Sequence, residues 1–497
     1  MSRLRLTPGV TTALVALLGV AMRLPFVGQP LSSDEAGFLI LAGQWSPGHS
    51  LYGDYWVDRP PLLIGIFQVA DALGGAVGLR VLGIVALLVS IIAAAAIGRL
   101  VTGWRWAPPI VAAVAALLLG DALYGALEVD GELLAVPFVL GGLYAVLRAL
   151  ADPAAVGRRR LLWIAAGALA VCAASVKQSM ADVFAAAAVG LVWLLVRRSW
   201  RLAGEGAVLF TAGVVAAGAA IVGWAASRGT GLGALFYAVV TFRGQAARVI
   251  SQEASGATAD RAHRLAEVFL LSGAWAIGVL AVLSAVLWWR RRRTNAGAGQ
   301  ARPVDPVLPV AWIALGLVVW ETVGVVAGGS YWSHYLVGTV PGSVVLAAAV
   351  VRARQVRVRW LVAVLCYVLV AAIPVGIGSL HGDYSQSELD VNHYLRTHAK
   401  PGQQALITFG QTNILQDTGL TEPYSNLWSL PVRVRDPHLV QFTRAMRRAR
   451  PTWVISPGPQ IAAWGVDASA ANDLLRSDYR LATHIGSWYV FQRRASH

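Results

Sequence analysis

Long runs of apolar residues, separated by short polar and charged stretches, make up most of this chain. An α-helix needs about 20 apolar residues to cross a bilayer, and counting runs of about that length predicts about eleven membrane-spanning helices. Arginine-rich segments between the runs, such as residues 158–160 and 290–293, are typical of cytoplasmic loops. Together with Arg3 and Arg5 ahead of the first run, they predict a cytoplasmic N-terminus.

The same orientation places two polar segments, residues 29–78 and 227–265, on the opposite side of the membrane. Residues 60–75 are less apolar than a span, which predicts a helix along the outer surface. After about residue 378 the composition becomes that of a soluble domain with short strand-like and helical patterns. We therefore predict a transmembrane domain over residues 1–378 and a small extracytoplasmic α/β domain over residues 379–497.

Three strands and two helices are predicted within this second domain. The sequence alternation and apolar content predict strands at 405–409, 452–456 and 488–491, and helices at 388–395 and 439–450.

Composition excludes an ordinary soluble protein. Of 497 residues, 57% are hydrophobic and only 13% are charged, so the fold class is a polytopic α-helical membrane protein. The net charge of +15 does not indicate a nucleic-acid partner, because the arginines flank apolar runs as cytoplasmic loops require. The two cysteines, Cys172 and Cys366, lie in separate apolar runs, which excludes a disulfide framework or a cysteine-based metal site.

Charged residues at the ends of apolar runs are the candidates for chemistry, since a charge at or in a bilayer is costly without a function or a partner. The motifs are Asp34-Glu35 after the first run, the segment Tyr55-Trp56-Val57-Asp58-Arg59 before Pro-Pro-Leu, Lys177-Gln178, and Tyr331-Trp332-Ser333-His334-Tyr335-Leu336. In their order and their common side they resemble the GT-C superfamily of polyprenyl-phosphate-sugar-dependent glycosyltransferases. Within it they are most similar to the glycosyltransferase family 39 branch, which includes protein O-mannosyltransferases and the lipid A aminoarabinose transferase.

The resemblance implies an inverting glycosyltransferase in a bacterial plasma membrane. An acceptor hydroxyl outside the cytoplasm would attack the anomeric carbon of a lipid-linked sugar, and a polyprenyl phosphate would leave. Such a reaction needs one base to accept the hydroxyl proton and fixed cations to stabilise the leaving phosphate. The family suggests mannose or another hexose or pentose as the sugar, and a protein, a cell-wall polysaccharide or a glycolipid as the acceptor.

Asp34 matches the acidic residue in the family's first loop, which implies that it is the base. Ser32, Ser33 and Asp34 are also good N-caps, so capping a following helix is an alternative role for Asp34. Glu35 would support the base through a hydrogen bond or bind a metal.

The resemblance assigns donor-phosphate binding to Arg59, Lys177 and His334. Arg59 would donate a bidentate pair of hydrogen bonds, and its alternative is a surface ion pair with Asp58. Lys177 could instead be an interfacial lysine whose amino group reaches the membrane surface.

Tyr55, Gln178, Tyr331 and Glu132 are expected to line the donor or acceptor pocket. Glu132 belongs to an acidic cluster whose alternative is a set of solvated loop charges.

A divalent metal ion is the expected cofactor. Asp58 matches a family position that can bind a divalent cation, and His263 and His334 are its candidate partners. A carboxylate with a histidine would suit manganese, magnesium or zinc.

A transporter or flippase of a lipid-linked envelope precursor is the alternative function. Transporters place functional charge near the bilayer midplane and are built from repeated halves. The candidate charges here lie at the ends of runs, with Glu321 as the main exception, and the sequence has no internal repeat.

Overall fold

The structure is a computed structural model, and it describes residues 7–252, 256–296, 309–353, 356–382, 386–463 and 465–495. Arg3, Arg5 and Arg354 lie outside these residues. The helices are α1 (Pro8–Arg23), α2 (Ser33–Gln44), α3 (Pro61–Ala72), α4 (Ala76–Thr102), α5 (Ala107–Gly120), α6 (Gly131–Ala151), α7 (Val156–Val176), α8 (Asp182–Val196), α9 (Trp200–Ser227), α10 (Leu232–Phe236), α11 (Phe242–Gln252), α12 (Gly256–Ser272), α13 (Trp275–Ala296), α14 (Val310–Ala327), α15 (Val340–Ala353), α16 (Val358–Gly382), α17 (Gln386–His398), α18 (Thr412–Thr418), α19 (Ser429–Arg435), α20 (Val440–Ala449) and α21 (Ser469–Asp478). The strands are β1 (Ala405–Ile407), β2 (Trp453–Ser456), β3 (Tyr479–Ile485) and β4 (Trp488–Arg493).

The described chain divides into two compact units. The helical unit comprises Met1–Gly28, Arg80–Ile221 and Gly256–Leu380, and the mixed unit comprises Gln29–Leu79, Val222–Ser255 and His381–His497. The mixed unit therefore combines most of the two predicted polar segments with the C-terminal α/β region.

Eight described helices are long and apolar enough to cross a membrane, and a ninth span results if the bent pair Thr258–Ser272 and Trp275–Arg290 counts as one. The remaining two predicted spans correspond to the shorter apolar helices α5 and α8, with 14 and 15 residues. At 1.5 Å per residue these reach about 21 to 23 Å, less than the roughly 30 Å hydrocarbon thickness. A 12-residue helix, α3, is present where the surface helix was predicted, and its position along the membrane surface stays a prediction.

Small residues allow the helices of the helical unit to approach closely. A Cβ atom at Gly167 of α7 would collide with the carbonyl oxygen of Phe210 in α9, and one at Gly213 would collide with that of Ile164. Such glycine contacts are typical of membrane helices, because the lipid supplies no hydrophobic driving force and association depends on close packing.

The mixed unit contains a four-stranded sheet with the strand order β1-β2-β4-β3. β1 and β2 are parallel, while β4 is antiparallel to both β2 and β3. Its core is formed by buried side chains such as Leu406, Val454, Phe442, Met446 and Leu475.

The three predicted strands correspond to β1, β2 and β4, and the two predicted helices correspond to α17 and α20. Strand β3 was not predicted. Its register shifts between Leu481 and Thr483, and Leu481 is 51% exposed, so its apolar residues do not follow a clean alternation.

Candidate functional site

The start of α2 carries the first candidate residues of the mixed unit. The Ser32 hydroxyl accepts a hydrogen bond from the Glu35 amide at 3.3 Å, and the Glu35 carboxylate accepts one from the Ser32 amide at 2.9 Å. This capping box satisfies two amides that have no partner inside the helix. Ser32 is therefore the N-cap, and Glu35, which is 1% exposed, stabilises the helix start.

Asp34 does not cap the helix. Its Oδ1 accepts a hydrogen bond from the Trp428 indole at 2.8 Å, and no described residue donates to its Oδ2. A Cβ atom at Gly37, one turn along α2, would collide with the Trp428 ring, so glycine is needed there for the indole to reach Asp34. The Ser33 carbonyl accepts a hydrogen bond from the Thr412 hydroxyl, which joins α2 to α18. The Asp34 carboxylate is thus held at one oxygen.

Asp58 lies between two arginines of the mixed unit. Its Oδ1 is 2.5 Å from a guanidinium nitrogen of Arg59, and its Oδ2 is 3.2 Å from one of Arg243 in α11. The ion pair weighed as the alternative for Arg59 is therefore present. Two guanidinium groups around one carboxylate leave an excess of one positive charge, so the ion pair does not exclude phosphate binding.

Phe38 connects the two parts of this site. The Arg59 guanidinium lies over the Phe38 ring, 5.6 Å from its centroid, and the Trp428 ring is 5.6 Å from the same centroid. Phe38 follows Asp34 by four residues and therefore lies one helical turn further along the same face. One aromatic side chain consequently supports both the carboxylate's indole donor and the candidate phosphate ligand.

Tyr55 attaches the first polar segment to the C-terminal part of the same unit. Its hydroxyl donates to the Glu422 carbonyl and accepts from the Glu422 amide, both at 3.0 Å. Burial raises the pKa of the Glu422 carboxyl well above its usual range. Burial and the nearby Asp58 carboxylate also raise the pKa of Tyr52, whose hydroxyl donates to the Arg59 carbonyl.

The helical unit contains a second candidate site at the start of α6. The Lys177 ammonium is 2.7 Å from Glu132 Oε1, and Glu132 is 2% exposed. The interpretation of Glu132 as a solvated loop charge is therefore wrong. Lys177 is half-buried beside this carboxylate, with its ammonium 5.3 Å from the centroid of the Tyr335 ring.

Asp130 and His334 complete this second site. Asp130 caps α6 through Oδ1, which accepts from the Leu133 amide at 2.7 Å. Single ligand atoms of Asp130, Glu132 and His334 all lie within 4.8 Å of one another. Asp130 Oδ2 and Glu132 Oε2 are buried without a described hydrogen-bond partner. Burial, reinforced by the Glu132 charge, raises the pKa of Asp130 well above its usual range.

Gly125 makes room for His334. It has a φ of 81°, in the left-handed region that glycine adopts readily, and a Cβ atom there would lie 2.9 Å from His334 Cβ.

The other sequence candidates are more scattered. Gln178 is half-buried in the turn after α7, Tyr331 has a left-handed φ of 55° before a short 3₁₀ helix, and His263 is exposed on α12. Their assigned roles stay predictions.

Glu321 joins two helices of the helical unit. Its Oε1 accepts from the Gly342 amide of α15 at 2.6 Å, and a Cβ atom at position 342 would collide with its carboxylate.

Sequence reasoning missed Trp428 and Arg243. They are separated from their partners by 394 and 185 residues, and a single sequence carries no signal of such proximity. Asp130 belongs to the acidic cluster of which the sequence suggested that one member could share a metal.

No protein-family model matches the chain, and no curated protein sequence matches it. Solved structures do. ArnT from Cupriavidus metallidurans bound to undecaprenyl phosphate matches with a TM-score of 0.62 and 15% identity, over 97% of this chain and 98% of that chain. The apo form of the Archaeoglobus fulgidus oligosaccharyltransferase matches with a TM-score of 0.57 and 12% identity, over 90% and 69%. The same enzyme in complex with Zn and sulfate gives 0.52 and 12%, over 96% and 72%.

Both of these proteins are GT-C glycosyltransferases. The chain has the GT-C fold. With its apolar helices, this fold confirms the predicted class of a multi-pass α-helical membrane protein that carries a small C-terminal sheet.

The Glu132–Lys177 pair generates the first prediction. We expect Lys177→Met to destabilise the protein by about 3–5 kcal/mol, because it leaves a buried carboxylate without its partner. Combining it with Glu132→Gln should recover most of that loss, as measured by thermal unfolding in detergent. Lys400→Met removes the chain's other, exposed lysine and serves as the control, with an expected change within about 0.5 kcal/mol. Strictly additive losses in the double variant would contradict the pairing.

Proposed function

We propose that the protein is an inverting glycosyltransferase that moves a sugar from a polyprenyl-phosphate donor to an acceptor hydroxyl outside the cytoplasm. The GT-C fold supports a lipid-phosphate-dependent transferase. The observation that carries the proposal is the Asp34 carboxylate, which is fixed by the Trp428 indole at one oxygen and open at the other. Arg59 lies on the Phe38 ring, one helical turn away along α2.

The proposed reaction is a single displacement. Asp34 Oδ2 accepts the proton of the acceptor hydroxyl while the hydroxyl oxygen forms a bond to the anomeric carbon. The bond between that carbon and the phosphate oxygen breaks, and both of its electrons leave with the polyprenyl phosphate. Attack opposite the leaving group inverts the anomeric configuration. The phosphate needs no general acid, because it leaves as an anion.

Two arginines are the proposed ligands of the donor phosphate. Arg59 and Arg243 each hold one oxygen of Asp58, so their guanidinium planes are oriented before the donor arrives. Fixed guanidinium groups suit phosphate oxygens and stabilise the charge that develops on the leaving group. The structure supports adding Arg243, from the second polar segment, to the residues that sequence reasoning assigned to this role.

The group of Asp130, Glu132 and His334 is the proposed site of a divalent cation. The site offers two carboxylate oxygens without described partners and one imidazole. A mixed nitrogen and oxygen ligand set suits zinc or manganese better than an all-oxygen set does. A bound cation would supply positive charge for phosphate oxygens. Lys177, at the same site, would hold Glu132 in place and add a second cation. The Zn-containing structure of the archaeal oligosaccharyltransferase supports a metal in this fold.

The remaining parts of the proposal come from the resemblance. We place the protein in a bacterial plasma membrane with a cytoplasmic N-terminus and its C-terminal domain outside. The donor sugar would be mannose or another hexose or pentose, and the acceptor a protein, a cell-wall polysaccharide or a glycolipid. A lipid transporter is less well supported, because the solved structures that share this fold are glycosyltransferases with lipid-linked donors.

Asp34→Asn tests the base. The amide oxygen can still accept from Trp428, but the side chain cannot take up a proton, so we expect release of polyprenyl phosphate from radiolabelled polyprenyl-phosphate-mannose to fall at least about 100-fold. The assay uses proteoliposomes with an envelope extract as the acceptor source. Asp71→Asn makes the same change at an exposed position of α3 and should leave the rate near that of the native protein. If the Asp34→Asn variant releases polyprenyl phosphate as fast as the native protein, Asp34 is not the base.

Arg59→Gln and Arg243→Gln test the phosphate ligands. Each is expected to weaken binding of undecaprenyl phosphate by about 10- to 100-fold, since a charge-assisted hydrogen bond contributes about 1.5–3 kcal/mol. Binding is measured by the ligand-induced rise in Tm. Arg248→Gln removes an exposed charge from the same helix α11 and should not change the affinity. If the two arginines only balance Asp58, their loss will lower Tm without changing the affinity.

Zinc or manganese titration tests the cation site. At about 100 times Kd, the ion should stabilise the native protein by about 2.7 kcal/mol, with a corresponding rise in Tm. His334→Ala should abolish this rise, whereas His263→Ala should retain it. The opposite result would instead support the pairing of Asp58 with His263 that the sequence suggested.

A further inference from the structure

A cleft of about 980 Å³ in the mixed unit has no role in the reaction described above. Its lining includes Tyr55, Glu422, Tyr424, Arg435, Arg444 and Arg448. The volume lies at the upper end of the range typical of small-molecule sites, about 300–1,000 Å³.

Three arginines, Arg435, Arg444 and Arg448, line the cleft. Arg444 and Arg448 are exposed on one face of α20, and no described carboxylate lies within salt-bridge distance of either. Arg435 is held in place, because its guanidinium donates to the Asn426 side chain at 2.5 Å and lies 4.3 Å from the centre of a Trp56 ring. Three guanidinium groups therefore face one space, and two of them have no described ion-pair partner.

Three carboxylates also belong to the lining, and they are those of the exposed Asp54 and of the buried Asp436 and Glu422. The Asp436 carboxylate accepts hydrogen bonds from the Tyr424 hydroxyl and from the amides of Gln441 and Phe442 at the start of α20, at 3.0 to 3.1 Å. Its charge is therefore satisfied by the helix it precedes.

Glu422 is buried at the cleft and contributes a polar atom to it. Its side chain is 7% exposed, and Oε1 has no described hydrogen-bond partner. Burial raises the pKa of this carboxyl well above its usual range, which favours its uncharged form. Tyr55 fixes its position by bonding both the amide and the carbonyl of the same residue.

We propose that this cleft binds an anionic saccharide, a sugar chain that carries carboxylate or phosphate groups, as the acceptor of the proposed transfer. The guanidinium groups would pair with the anions. Gln44 and Gln441, which are exposed in the lining, would bind sugar hydroxyls. The described lining has no Leu, Ile, Phe or Trp side chain, which disfavours a lipid chain as the occupant. The acceptor role rests on the proposed function, whereas binding to the cleft does not.

The test measures direct binding to the full chain in nanodiscs of neutral phospholipid, at physiological ionic strength. The probes are fluorescent hexagalacturonate and a phosphomannan oligosaccharide, with maltohexaose as the neutral sugar and hexaglutamate as the acidic peptide. We expect at least one acidic sugar to bind at least tenfold more tightly than maltohexaose and hexaglutamate. If hexaglutamate binds as tightly as the acidic sugars, the ligand of the cleft is an acidic peptide rather than a saccharide. If neither acidic sugar binds, the proposal is overturned.

Paired variants locate the binding. Arg444→Gln combined with Arg448→Gln should weaken binding of the acidic sugar at least tenfold. Arg447→Gln combined with Arg476→Gln removes the same charge from exposed positions outside the lining and should change it less than twofold. Equal losses in both would indicate unspecific attraction to a basic surface and would overturn the cleft assignment.

A parallel assay separates this inference from the proposed function. Release of polyprenyl phosphate is measured in the same preparations. Release without binding of the acidic sugars would overturn the cleft assignment and leave the transferase standing. Binding without release would support the cleft and count against the transferase.

Discussion

The cost of burying charge is the constraint on which this structure depends. Only 13% of the residues are charged, and a charge removed from water needs a partner in contact with it. In the helical unit, Glu132 pairs with Lys177, and Glu321 accepts an amide hydrogen bond from the next helix. In the mixed unit, Asp58 pairs with two arginines. Each partner fixes the position of a helix or loop end, so the charges that suit chemistry also determine local architecture.

The Glu132–Lys177 pair illustrates why these groups are more than stabilising contacts. A buried ion pair contributes little net free energy to folding, because desolvation of both ions offsets most of their attraction. Proteins with apolar residues of similar size in place of such a pair are often as stable or more stable. The pair therefore contributes little that an apolar contact could not. What it does provide is a positioned carboxylate beside Asp130 and His334, with one oxygen still available. A stability role alone does not account for that arrangement.

Sequence patterns predicted what depends on local order. Apolar runs located the helices, and the strand-like segments located three strands of the four-stranded sheet. The serines before Asp34 predicted a helix start, and the observed capping box uses Ser32 and Glu35. What depends on distant partners was not predictable. The indole that holds Asp34, the second arginine on Asp58 and the approach of His334 to Asp130 all join segments far apart in the chain. Charge pattern alone suggested solvated carboxylates at the start of α6, because burial is a property of the packed structure.

The contrast between Asp34 and Asp58 shows how two aspartates can differ in their surroundings. Both oxygens of Asp58 are engaged by guanidinium groups, those of Arg59 and Arg243. Asp34 is held by a neutral indole at a single oxygen, and no described cationic side chain forms an ion pair with it. Because Phe38 contacts both Trp428 and Arg59, the carboxylate and the nearby cation are oriented by the same ring. In the proposed reaction, this arrangement would fix the proton acceptor and the phosphate ligand together without an ion pair between them.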